Sequence, residues 1–310
     1  TVAAPPTTGG IRAGGNITIN GSADFDGNTT NRTDDTQIYA GKGISLNGNV
    51  TLPVKRDAAG NPLKVNGKIV LTDNEITLGT GATTTTNPNQ YNNFTTATQT
   101  INIPAYADRK LQEFTPLASA VVKTFNVQTT PINTSADWNT KFPAAGTVTN
   151  PTVVRIINGD LNLPANINLS NYILIVENGN INFYQGNPVL NNVKLIANAG
   201  NINLNSTTGT NLSLSASGNI NITGNTSLGG TSIINSNGNI TTNGGLSMVN
   251  TTATVKMVAQ GDLTVNGNTS LKGQLFTKKN MTINGQTTII GSLDALLNVS
   301  IGGNTTILAK

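Results

Sequence analysis

Residues 215–230, SASGNINITGNTSLGG, hold no ionisable side chain, yet close variants of this phrase recur through much of the chain. After the Gly/Asn words stand apolar-x-apolar cores: Leu161 and Leu163, Ile181 and Phe183, Ile202 and Leu204, Ile220 and Ile222, Ile240 (with Thr242), Leu263 and Val265, Met281 and Ile283, Val299 and Ile301. The cores return every 18 to 23 residues, and a fixed period of that length marks a solenoid. Alternation by two makes each core a strand with one face inward. The flanking Gly and Asn suit corners that need positive φ. Further short strands, such as Thr226 with Leu228 and then Ile233 with Ile234, lie between cores. Two or three strands per coil, with no helical period, predict an all-β fold: a parallel β-helix with coils about 4.8 Å apart, right-handed by the usual preference of parallel crossovers.

The same template occurs earlier. QIYAGKGISLNGNVTL at 37–52 matches KMVAQGDLTVNGNTSL at 256–271, and GGNITING at 14–21 reads as a first coil. The expected organisation is therefore a Pro/Thr-rich arm at 1–10, first coils at 11–53, an insertion at 54–152 and the main solenoid at 153–310. Within the insertion, Leu111, Phe114, Ala118, Val121, Val122 and Phe125 follow helical spacing, with Thr115 and Pro116 suited to the N-cap and first turn of a second short helix. The rest is turn-rich and irregular. This segment is expected to lie on one flank of the solenoid, with Trp138 helping to bury one or two short helices.

Composition narrows the chemistry. Cys and His are both absent, which excludes disulfides, thiolate or imidazole catalysis and nearly every transition-metal site. Charged residues make up 10% and the formal net charge is +4; no Lys/Arg cluster of a nucleic-acid reader is present. Lys278 and Lys279, with Lys272 and Lys256 in neighbouring coils, read as a solvated face, with contact to DNA or an acidic polysaccharide, as in a carbohydrate- or DNA-binding ectodomain, as the alternative. No apolar stretch is long enough for a membrane span. The chain opens on Thr1 without a signal-peptide pattern, which points to a processed form or an excised piece.

Stacking puts the middle residue of each core on one outward line: Asn162, Asn182, Asn203, Asn221, Thr241, Thr264, Thr282 and Ser300. Such a column can hydrogen-bond to itself from coil to coil; a regular polar lattice is also a candidate face for a polysaccharide. The Asn-x-Ser/Thr triplets, such as those at Asn16 and Asn268, follow from composition.

Other candidates are few. Asp24, Asp26, Asn28 and Asp35 fall at positions 1, 3, 5 and 12 of a calcium-loop count, but Gly27 sits at position 4 instead of 6. An ordinary loop is the simpler reading, and calcium is the sole cofactor considered. Asp160, Glu177, Asp262 and Asp294 are too scattered for a hydrolase or lyase pair, so no enzyme is expected.

The final residues, LLNVSIGGNTTILAK, still follow the repeat, with Val299, Ile301, Ile307 and Leu308 in core-like places. An uncovered solenoid end exposes unpaired backbone over an apolar interior. Further polypeptide, the insertion folding over it or head-to-tail stacking of copies would cover it; stacking is the reading preferred, and the arm at Pro5 and Pro6 could lash neighbours together. The expected partner is the chain itself.

AGGNITIN, ASGNINITGNTSL and NGDLNLPANINLSNYILIVENGNI resemble two sets of bacterial surface β-solenoid proteins. One is the repeat region of filamentous haemagglutinin-type adhesins; the other is the solenoid ectodomain of type IV pilus-associated, pilin-like proteins. The resemblance covers 11–53 and 153–310. It implies an exported, extracellular protein used for adhesion or fibre building, and it carries over no functional residue.

Overall fold

A computed structural model describes residues 10–25, 37–52, 54, 57–65, 68–70, 76–84, 91–92, 95–105, 122–125, 138, 141–142, 144–183 and 186–308. The fold is a parallel β-solenoid. The chain forms two compact units, residues 105–272 and residues 1–104 together with 273–310.

In the unit 105–272 each coil adds one strand to each of three parallel ladders. The first runs through Leu161–Asn162, Ile181–Asn182, Ile202–Asn205, Ile220–Thr223, Ile240–Asn243 and Leu263–Asn266. Its inward column, Leu161, Ile181, Ile202, Ile220, Ile240 and Leu263, is fully buried. At about 1.5–3 kcal/mol per buried aliphatic, this column and its counterparts supply the cohesion between coils. The second ladder runs from Asn168–Ser170 to Leu246–Met248.

The third ladder runs through Val122–Phe125, Thr152–Ile156, Tyr172–Val176, Lys194–Ala197, Ser213–Ala216, Thr231–Ser236 and Thr254–Ala259. Val122–Phe125 is therefore a strand, not the helix its spacing suggested. Its β-branched Val122 and Thr124 favour extended backbone, and Thr152–Ile156 offers it a ladder partner. Leu111, Phe114, Ala118, Val121 and the cap at Thr115 and Pro116 lie outside the described residues, so the inserted helices find no support in the structure.

Residues 1–104 and 273–310 form a unit whose order along the stack differs from the order in sequence. Val299–Leu308 pairs on one flank with Met281–Asn284 and Gln286–Ala295. On its other flank it pairs with Asn16–Asp24, Ile17 opposite Val299 through Asp24 opposite Thr306. Beyond that coil come Gln37–Ala40, Gly43–Asn47 and Val50–Thr51, then Ile76–Leu78 and Thr83–Thr84, then Thr95–Thr96. The expected insertion thus continues the ladders at these three places as well as at Val122–Phe125 in the other unit. Between them, Lys64–Val65, Lys68–Val70 and Tyr91–Asn92 form a small separate sheet.

Glycine serves two needs at the corners. Gly267 and Gly48 adopt φ of 97° and 114°, and a Cβ there would meet the carbonyl of Gly244 or Gly21 in the preceding coil. The Gly of each Gly-Asn word has a different reason in most coils. At Gly218 and Gly238 the φ is ordinary, but a Cβ would run into the Asn201 or Asn219 amide.

Candidate functional site: the junction of the N-terminal and C-terminal coils

The junction is built by three kinds of complementarity. Ile17 and Ile19 are laid against Val299 and Ile301, all four buried. Gly21 stacks over Gly303 at a close approach that a Cβ would block. Beside these, Gly10–Ala13 pairs in parallel with Ser292–Ala295, which sets Arg12 opposite Asp294. Arg12 donates from Nε to Asp294 Oδ1 at 2.6 Å and from Nη2 to Oδ2 at 2.7 Å. The Asp294 side chain is 1% exposed and that of Arg12 is 18% exposed. A two-pronged, nearly dry guanidinium–carboxylate pair fixes register as well as charge.

Val299, Ile301 and Ile307 are accordingly not an open end. They are 1%, 1% and 0% exposed, which removes the bare edge on which end-to-end stacking was expected to rest. Leu308 pairs with Ile290 and is half-buried. Pro5 and Pro6 lie outside the described residues. A shallow depression of about 430 Å³ crosses the same junction, lined by Ser22, Asp24, Asn49, Gln286, Thr288 and Asn304 among others.

Polar side chains are spent between coils. On the outward line of the first ladder, Asn182 Nδ2 donates to Asn162 Oδ1 at 2.8 Å, Asn203 to Asn182 at 2.7 Å and Asn221 to Asn203 at 2.8 Å. Thr241 and Thr264 continue that register. In the other unit, Thr282 and Ser300 are followed by Thr18 and Ser45. A second column was not anticipated. The backbone N–H of Asn180, Asn201, Asn219, Asn239 and Asp262 each donates to the Oδ1 of the residue one coil before, from Asp160 to Asn239, at 2.7–2.8 Å. Only an acceptor is required there, so Asp160 and Asn serve alike. Asp160 is therefore a structural acceptor.

A third column occupies another corner. Asn171, Asn192 and Asn211 have φ of 61°, 53° and 51°. Asn192 Nδ2 donates to Asn171 at 3.2 Å and Asn211 Nδ2 to Asn192 at 2.9 Å. Asn192→Ala places a Cβ-bearing residue without a compensating amide in the left-handed region, at about 1–2 kcal/mol, and breaks both bonds. Asn192→Gly keeps the dihedral and loses only the bonds. The alanine variant should therefore unfold at lower urea than the glycine variant, and both below the parent.

The remaining sequence candidates do not converge. Asp24 lies on a strand; Asp26, Asn28 and Asp35 lie outside the described residues, so the calcium loop is not seen. Among the described residues no three His, Cys, Asp or Glu side chains come together. Glu177 is engaged by Arg155 Nε at 2.9 Å and by Asn198 Nδ2 at 2.7 Å. Lys272, Lys278 and Lys279 are exposed. No helix among the described residues is long and apolar enough to cross a membrane.

Trp138 is buried against Phe142, stacked at 3.9 Å, and against Tyr172, edge-on at 5.8 Å. It covers a strand residue, where the sequence had assigned it to helices. Nearby, the outward-pointing Ile175 and Ile196 join Val153 and Ile173 in a buried apolar cluster. Burial raises the Tyr172 phenol above its usual value, partly opposed by a hydrogen bond with the Trp138 side chain. A raised folded-state value favours the native state fully below about pH 10, and the benefit is lost as pH climbs through the folded value. In a spectrophotometric titration, one of the five tyrosines should ionise late, and Tyr172→Phe should abolish that late step.

Comparison with protein-family models, with curated proteins and with solved structures found no match to this chain.

Proposed function

We infer that this chain is a structural, non-catalytic β-solenoid module of an exported bacterial surface protein, serving as a shaft or adhesive segment of a surface appendage. One observation carries the reading: among the described residues, the columns of polar side chains that recur from coil to coil are committed to bonds between coils. The Asn162–Asn221 ladder, the corner acceptors from Asp160 onward and the Arg12–Asp294 pair all tie one coil to the next. A surface built this way resists local opening, which suits holding a position more than turnover. The resemblance of AGGNITIN and ASGNINITGNTSL to adhesin and pilus-associated solenoids supports the surface location.

The test is labelling of intact cells of the source organism with an antibody raised against the folded chain. Labelling without permeabilisation is the expected result; labelling only after permeabilisation overturns the reading. The depression at the junction, which carries Asn49, Gln286 and Asn304 on its lining, favours a second reading, recognition of a hydroxyl-rich polysaccharide. That reading requires retention on an immobilised glycan and its loss in Asn304→Leu.

A further inference from the structure

We propose that the N-terminal coils are an exchangeable cap, and that a second copy of this chain can supply the cap for the coil at 299–308. The partner is identical in chemistry to the segment already seated there. The proposal concerns the junction alone and holds whether or not the protein lies on a cell surface.

Three observations carry it. First, the junction is a complete recognition surface made of non-covalent contacts between segments far apart in sequence, with Arg12 and Asp294 separated by 282 residues. Second, it is specific. Backbone pairing over Ile17–Asp24 and Val299–Thr306 fixes the strands, the close Gly21–Gly303 approach fixes the corner, and the Arg12 fork accepts a carboxylate only at the Asp294 place in the register. Third, both faces require a partner. Without the N-terminal coil, Val299 and Ile301 would face water; without the C-terminal coil, Ile17 and Ile19 would.

The order of synthesis separates these two needs in time. The N-terminal coils exist before residues 292–308 are made, and during that interval their pairing edge is open to any finished copy nearby. Contacts in cis and in trans are the same, so their balance depends on effective concentration. An intramolecular cap acts at roughly millimolar or less, so dilute chains close on themselves and crowded chains exchange caps.

The absence of cysteine makes the test direct. Thr18 and Ser300 are paired neighbours on the outward line, at the about 4.8 Å spacing of adjacent strands, within the usual disulfide range. Full-length Thr18→Cys and full-length Ser300→Cys are unfolded together, refolded and oxidised. A disulfide-linked heterodimer is expected to rise at least tenfold in fraction between about 1 μM and about 0.5 mM total chain, as the concentration approaches that effective value. A chain carrying both cysteines should close into a cross-linked monomer when dilute. If the double variant cross-links but the mixture stays monomeric at every concentration, the proposal is overturned. If the double variant fails to cross-link, the junction itself is wrong and the proposal falls with it. Two differently tagged wild-type copies, refolded together at 0.5 mM on the same scale, give an independent readout. They should co-purify, and failure to do so is equally decisive.

Discussion

Arg12→Ala should lower stability by about 3 kcal/mol, near the lower end of the range for removing one partner of a buried ion pair. The loss arises less from the missing attraction than from what remains. Asp294 is 1% exposed, and without the guanidinium its carboxyl group is left without its charge partner in a site with little water. The 18% exposure of Arg12 admits some solvent to the vacated space, which keeps the figure from the top of the range. Arg12→Lys retains the charge but replaces two parallel bonds of 2.6 and 2.7 Å with a point contact, so an intermediate loss is expected. The decisive comparison is a double-mutant cycle. Adding Asp294→Asn to Arg12→Ala removes the stranded charge and should recover a large part of the lost stability in urea unfolding. If the double variant is as unstable as the sum of the two singles, Asp294 is not paired with Arg12 in solution.

The pair also shows why the stack order escaped a reading of the sequence. Each coil repeats the same Gly-Asn vocabulary, so nothing local says that 14–21 follows 299–308 instead of beginning the stack. A signal was present. In IRAGG and LDALL, Arg12 and Asp294 occupy the same slot of the template, two residues before the corner. The same slot of the repeat holds Tyr39 in a neighbouring coil and, in the other unit, a third charge, Arg155, with the apolar Ile175 and Ile196. Complementary charges in one slot of two coils favour adjacency, as charge patterning does in other repeating structures, but Arg155 offers Asp294 the same complement, so the slot narrows the order of coils without fixing it.

Other parts were legible to different degrees. The aliphatic columns could be read because alternation by two, repeated at a fixed period, admits few alternatives. The solenoid character of Ile76–Leu78 was readable from its Ile-x-Leu-Gly phrase, yet the surrounding turn-rich sequence concealed it. Tyr172–Val176 is buried at every position. A continuous apolar run of this kind signals a strand covered on both faces, and the outward cover on the third ladder follows from it. Within the other unit, Gln99 N–H donates to Tyr39 Oη at 3.2 Å and Ile101 is buried, so Gln99 lies over the strand Gln37–Ala40 there. The corner column of Asn180, Asn201, Asn219 and Asn239 was seen as residues but not as a role. An amide at a corner reads as turn chemistry, and only the coil spacing shows that its oxygen accepts a backbone N–H from the next coil.

Asn182→Asp is expected to cost about 3 kcal/mol at neutral pH through a different route. Asn182 is 1% exposed. Its Nδ2 donates to Asn162 Oδ1 at 2.8 Å, and its Oδ1 accepts from Asn203 Nδ2 at 2.7 Å. A carboxylate keeps the second bond but sets an oxygen against the oxygen of Asn162, with a buried charge and no cation in the ladder; the cost is that of a lost bond plus an unpaired buried charge. Burial and the facing acceptor both raise the folded-state carboxyl value above the unfolded value of about 3.9. A raised value means that the native state holds the proton more tightly, so the variant should regain stability as pH falls through the folded value toward the unfolded one. The protonated carboxyl can also donate to Asn162 and re-form the missing link. Asn182→Leu supplies the contrast: it breaks both bonds at about 2 kcal/mol and acquires no new pH dependence. Urea unfolding of the three chains at neutral and mildly acidic pH separates the cases. A leucine variant as stable as the parent would mean that burial alone, without the amide ladder, holds this face of the solenoid together.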